Sequence, residues 1–117
     1  MLTREHRLTS GNEFAPVIRR GARAGSRTVV VHLLETDDLA LEPSAPRVGF
    51  VVGRAVGNAA VRNLVRRRLR HLVRERLAVL SPSATMVVRA LPAAAAATYA
   101  DVGMDLDQAL SRATARS

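Results

Sequence analysis

The 117-residue sequence contains no cysteine, no tryptophan and no lysine. Without cysteine there are no disulfides, no thiolate-bearing zinc sites and no thiol nucleophile. Aromatic residues are scarce, two Phe and one Tyr, which leaves nothing for the stacking motifs of an RNA-recognition-motif domain. No apolar run approaches ~18 residues, so no membrane-spanning helix is expected. The start, Met1 to Leu8, has no apolar core of a signal peptide, and a cytoplasmic location is the expectation. Catalytic groups are also thin. His6, His32 and His71 fall in different predicted elements and form no HExxH or HxH pattern, and Gly49, Gly53 and Gly57 match no phosphate-cradling spacing. Asp37 and Asp38 read as solvated loop acids. No protein-held metal site is expected.

What the chain has in excess is arginine. All 18 basic residues are Arg, against 10 acidic ones, for a formal charge of +8. The guanidinium is a planar fork that pairs bidentately with phosphate. Residues 54–76 carry eight arginines against Glu75 alone, a net of +7. Residues 1–27 carry +4, residues 28–53 carry −3, and residues 77–117 balance. Charge concentrated in this way marks a surface for a polyanion.

The length suits one domain, 1–117, large enough to bury a core, with residues 114–117 expected to fray. Ser10 to Glu13 matches a capping box that opens a first helix, with Phe14, Val17 and Ile18 on one face and Pro16 inside it. Residues 22–26 read as a short edge strand. Residues 27–34 and 47–53 read as strands antiparallel to one another, separated by an acidic, proline-bearing loop. From about Asn58 to Leu80 the periodicity predicts a helix roughly 33 Å long. Val61, Leu64, Val65, Leu69, Leu72 and Val73 form its apolar side, and Asn63, Arg66, Arg67, Arg70 and Arg74 the opposite one. Arg68 falls inside the apolar sector and is expected to snorkel. Residues 85–91 read as a further strand, and Thr98 caps a last helix. The order α-(β)-β-β-α-β-α describes a small α+β sandwich, one mixed sheet of about four strands with helices packed on it.

A solvated helix face with i,i+4 ion pairs would need acidic partners, and only Glu75 is available. A membrane-surface helix would want Trp or Phe on an apolar side that the sheet needs instead. Nucleic acid remains. No helix-turn-helix, zinc finger or basic zipper is visible, so DNA is not an expected partner, and one arginine face suits the phosphates of a folded RNA. The residues alone leave open a small ribosomal or RNA-chaperone protein and a subunit of an RNA-processing enzyme. A self-sufficient metal nuclease built on Asp37, Asp38 or His32 lacks a ligand cluster.

Val56-Gly-Asn-Ala-Ala-Val-Arg-Asn63, followed by Leu-Val-Arg-Arg-Arg-Leu-Arg70, resembles the signature of the bacterial ribonuclease P protein family. The resemblance extends to Arg7-Leu8, Glu13-Phe14, Arg20-Gly21, Arg47 to Val52 and Val87 to Pro92, covering about residues 7–110. It implies a protein that assists a catalytic RNA in removing the 5′ leader of precursor tRNA, and a left-handed β-α-β crossover. Ribonuclease P RNA and precursor tRNA are then the implied partners, with Mg2+ held mainly by the RNA. The resemblance assigns catalytic-RNA binding to Arg54, Arg62, Asn63, Arg66, Arg67 and Arg70. It assigns a cleft for the single-stranded leader to Phe14, Ile18, Val29 and His32, bordered by Arg62 and Asn63. The sequence departs from the family where Leu64 follows Arg62-Asn63 in place of a second arginine. It departs again where Ile18, Val29 and His32 replace common aromatics.

Overall fold

The computed structural model describes residues 11–35 and 46–116. The capping box at Ser10 and most of the acidic loop, Asp37 and Asp38 included, lie outside the described residues. Helix α1 (Gly11–Arg20) leads into strands β1 (Ala22–Gly25), β2 (Val29–Glu35) and β3 (Arg47–Val51). Helix α2 (Ala59–Arg74), strand β4 (Ala84–Ala90) and helix α3 (Tyr99–Arg116) complete the chain. The four strands form one mixed sheet in the order β1-β2-β4-β3. β1 and β2 are an antiparallel hairpin, β4 lies antiparallel to β2, and β3 pairs parallel with β4. The sequence expectation set β3 antiparallel to β2. β3 does run antiparallel to β2, but the two are not paired: β4 inserts between them, and α2 is the crossover joining the parallel neighbours β3 and β4.

Strand alternation gives the sheet two different faces. Val29, Val31, Leu33, Val48, Met86 and Val88 face the main core, closed by Val65, Leu69, Leu72 and Val73 of α2 and by Val102, Leu106, Leu110 and Ala113 of α3. The other face carries a smaller cluster in which buried Val17 of α1 meets buried Val87, flanked by Phe14, Ile18, Leu34 and Val51. α1 therefore sits across the central β2–β4 pair, on the side opposite α2 and α3. The α1–β1 turn is tight. Gly21 N–H donates to the Val17 carbonyl at 2.8 Å, and a Cβ on Gly21 would lie 2.4 Å from that oxygen and 2.9 Å from the Leu33 carbonyl oxygen. Only glycine lets the helix end this close to β2. Pro16 is accommodated within α1, which runs unbroken through it.

α2 is shorter than its periodicity suggests, about 24 Å for 16 residues. Past Arg74 the backbone tightens to 3₁₀ bonding, Arg76 N–H donating to the Val73 carbonyl, while the Arg76 guanidinium donates to the Leu72 carbonyl and to both carboxylate oxygens of Asp107 on α3. Leu77–Val79 then forms a 3₁₀ turn that delivers Leu80 to the core. Arg68 snorkels as expected, its Nη1 3.5 Å from the Ala97 carbonyl. Thr98 caps α3 by accepting from Asp101 N–H at 3.1 Å. α3 continues to Arg116, through the residues expected to fray, with Thr114 Oγ1 donating to the Leu110 carbonyl. Near its end, Arg112 donates to the Gly25 carbonyl and Arg116 to the Arg23 carbonyl. The hairpin pairs Ser26 with Val29, so by alternation these two carbonyls point away from β2, along the free edge of β1.

Candidate nucleic-acid interface

The signature segment builds a rigid entrance to α2. Arg54–Val56 is a 3₁₀ turn with Val56 buried and Arg54 exposed. Gly57 has φ 159° and ψ −168°, a conformation open essentially to glycine, and a Cβ there would lie 2.8 Å from Val61 Cγ1. Asn58 caps the helix, its Oδ1 accepting from Val61 N–H at 2.9 Å. Ala94 and Ala97 are buried, and the 3₁₀ turn Pro92–Ala95 packs against both the Arg54–Val56 turn and α2. The alanine run is thus a close-fitting brace under the entrance.

The polar side of α2 is concave. Asn63, Arg66, Arg67, Arg70 and His71 line a depression of about 400 Å³. Asn63 and Arg67 are exposed, and Arg66 and Arg70 are half-buried. Arg66 Nη1 donates to Asn63 Oδ1 at 3.3 Å, which turns one fork toward the depression's rim. Arg62 is half-buried, and its Nε has no hydrogen-bond partner. Leu64 is half-buried where Val65 and Leu69 are buried, so the departure from the family pattern lies at the margin of the apolar side. α2 contains no acidic residue, and the nearest in sequence, Glu75, lies 3.8 Å from Arg76. Of the six residues assigned to catalytic-RNA binding, the helix brings four together on this face and holds Arg54 and Arg62 toward its entrance. His71 was not among them. Its spacing, four residues after Arg67, was the available signal.

The assigned cleft needs a correction. Phe14, Ile18 and His32 lie on the α1 face, but Val29 is fully buried on the other, among the residues that face α2 and α3. Val29 and His32 are three apart in one strand, an odd spacing that puts them on opposite faces. The residues that share the face with His32 on β2 are Val30 and Leu34. Arg62 and Asn63 stand in the first turns of α2, whose principal neighbours are the two 3₁₀ turns and α3. The molecule presents two separate basic surfaces.

On the α1 face the register aligns Arg23 with His32 and Val87, and Val30 with Arg89 and Val51, while Arg47 pairs with Thr85. Arg23, Arg47 and Arg89 are exposed, one each on β1, β3 and β4, and no acidic residue shares this face of the four strands. Arg23 belongs to the N-terminal stretch of net +4; sequence reasoning singled out neither Arg47 nor Arg89, although counting by twos from Val87 finds Arg89.

His32 is 3% exposed, and neither ring nitrogen has a hydrogen-bond partner. Burial, then the charges of Arg89 and Arg23, hold its pKa below the ordinary value. The unfolded chain therefore binds the proton more readily, and folding stability should fall as pH drops below about 6.5, with a slope of at most about 1.4 kcal/mol per pH unit. Asp107 is held below its usual range by the hydrogen bond from Arg76 and acts only at more acidic pH. Urea titrations at a series of pH values should show a flatter profile for His32→Leu between about pH 7 and 5, and parallel profiles would refute the assignment.

Among the described residues no group of three or more His, Asp or Glu could hold a metal ion, and no helix is long and apolar enough to cross a membrane.

Comparison with known proteins gives a consistent result. The family model described as Ribonuclease P matches residues 2–114. A ribonuclease P protein component of a Nocardioides species is 55% identical over 112 residues, covering 96% of this chain and 94% of its own. One from Streptomyces avermitilis is 53% identical over 116 residues, with coverage of 96% and 94%. The solved RNase P protein of Staphylococcus aureus has the same fold, with a TM-score of 0.78 at 21% identity, covering 91% of this chain and 93% of its own.

Proposed function

This chain belongs to the ribonuclease P protein family, and from that premise we propose that it binds the catalytic RNA of the enzyme and the 5′ leader of precursor tRNA. As a protein component of an RNA-processing enzyme it has an RNA partner. The reading assigns the α2 face to the catalytic RNA and the α1 face to the single-stranded leader. The observation that carries it is the concave arginine face of Asn63, Arg66, Arg67, Arg70 and His71, on a helix with no acid of its own.

Arginine forks at Arg66, Arg67 and Arg70 pair with backbone oxygens of a structured RNA and displace its condensed counterions, which fixes register without reading bases. Arg54 and Arg62 extend that contact around the helix entrance. On the other surface, Phe14 and Ile18 give unstacked bases an apolar seat, and Arg23, Arg47 and Arg89 meet the phosphates between them. In this reading bond cleavage falls to the catalytic RNA, as the family resemblance implies. An arginine-lined surface does not fit a divalent cation. The Mg2+ that the family implies belongs on the RNA, where it supplies charge neutralisation at the scissile phosphate. The protein lowers the repulsion among phosphates that opposes docking of the substrate. A cytoplasmic site of action follows from those partners.

Reconstitution with a bacterial ribonuclease P RNA tests this. Adding the protein at low magnesium should raise the rate of 5′-leader removal from precursor tRNA, and more so than at high magnesium. No gain at either concentration, with co-purification on ribosomal subunits in stringent salt, would replace the reading with a ribosomal one.

A further inference from the structure

His32 occupies an unusual position for a histidine. It lies on the sheet face covered by α1, directly opposite Arg23 on β1, and diagonal to Arg89, two residues beyond its β4 partner Val87. Neighbours at these positions stand about 5–8 Å apart. The ring is buried with both nitrogens unpartnered, while the two arginines beside it are exposed. β3 adds Arg47 to the same face, and α1 carries Arg19 and Arg20, both exposed, in its last turn. Every charged group whose side chain is described on the elements around His32 and on this face is thus cationic. Without an anion, a proton on His32 would be a further buried positive charge with no acceptor.

We propose that this face binds a phosphodiester of single-stranded RNA between Arg23 and Arg89 and takes up a proton on His32 as it does so, making binding tighter as pH falls. The proposal rests on the assignment of the α1 face to single-stranded RNA and adds its regulation. A phosphate that pairs with either arginine cancels part of the positive potential that keeps the ring neutral. The proton comes from solvent and returns to it on release. Because linkage is reciprocal, whatever RNA does to the affinity of His32 for a proton, the proton does to the affinity for RNA.

The probe is a short single-stranded oligoribonucleotide, titrated calorimetrically into the full chain in buffers of different ionisation enthalpy. Between about pH 7.5 and 5.5 the affinity of the unmodified protein should rise by up to about tenfold, the equivalent of one unit of linked pKa change. The buffer dependence of the heat should report net proton uptake. His32→Gln and His32→Leu, each checked for folding by thermal melting, should show neither the rise nor the uptake, while His71→Gln on the α2 face should keep both. Three results would overturn the proposal: a pH profile unchanged by both His32 variants, its loss in His71→Gln instead, or an equal gain with duplex RNA. Arg23→Ala and Arg89→Ala separate the two levels. If they leave affinity at pH 7.5 unchanged, the assignment of this face to RNA falls together with the proposal. If they weaken binding and the pH profile survives without His32, the proton linkage alone falls.

Discussion

Replacing Arg66 and Arg67 together by alanine should weaken binding to the structured RNA by about 25- to 60-fold near 0.1 M salt. The figure follows from counterion release, in which each phosphate contact contributes a slope of about 0.7–0.9 in log K against log salt, about five- to eightfold per contact at that concentration. The same double variant should lower the measured slope by about 1.4–1.8. Both side chains stand on the outer face of α2, one exposed and one half-buried, so the melting temperature should hardly change. Lysine at the same positions should restore most of the slope, because it restores the charge, but less of the affinity, because it lacks the fork that Asn63 orients in Arg66. A slope that stays put in the alanine variant would mean that these arginines are merely solvated.

The second large effect is expected from a residue that touches no RNA. Gly21→Ala places a methyl group 2.4 Å from the Val17 carbonyl oxygen and 2.9 Å from that of Leu33. Both obstacles are backbone, one in α1 and one in β2, so neither can rotate out of the way. The helix must lift from the sheet, at a cost of about 2–3 kcal/mol, within the range for overpacking and local strain. The loss should be local. Among the described residues, α1 contributes Val17 to the small cluster on its own face and none to the main core. Hydrogen exchange should therefore rise in α1 and in the amides around Val87, with α2 and α3 still protected. Affinity for single strands should fall while the salt slope for structured RNA is kept. Equal loss on both would show that the two basic surfaces are not independent.

The sequence alone was sufficient for the α2 face because a 3.6-residue period sorts Val65, Leu69 and Leu72 from Arg66, Arg67 and Arg70 without tertiary information. The strand segments near residues 29–35, 47–51 and 84–90 were legible for the same local reason. Where β4 would lie was not. Its place between β2 and β3 is decided by which apolar faces α2 and α3 jointly cover, a long-range outcome that no local pattern encodes. The pairing of Arg76 with Asp107, 31 positions away, was equally out of reach. The misplacement of Val29 was of another kind. The alternation that separates it from His32 was present in the sequence, but the family pattern was carried over without it.

The free edge of β1 has a consequence for the protein before it meets RNA. An open strand edge is a template for pairing with another chain. Arg112 and Arg116 occupy two of its outward carbonyls from the last turns of α3. A strand arriving from a neighbouring molecule would have to displace two guanidinium groups and would meet positive charge in doing so. Removing them while leaving the RNA-facing arginines in place should yield a chain that still binds RNA but self-associates as its concentration rises. The arginines of this protein thus divide their labour: some attract a polyanion, and two keep other copies of the chain away.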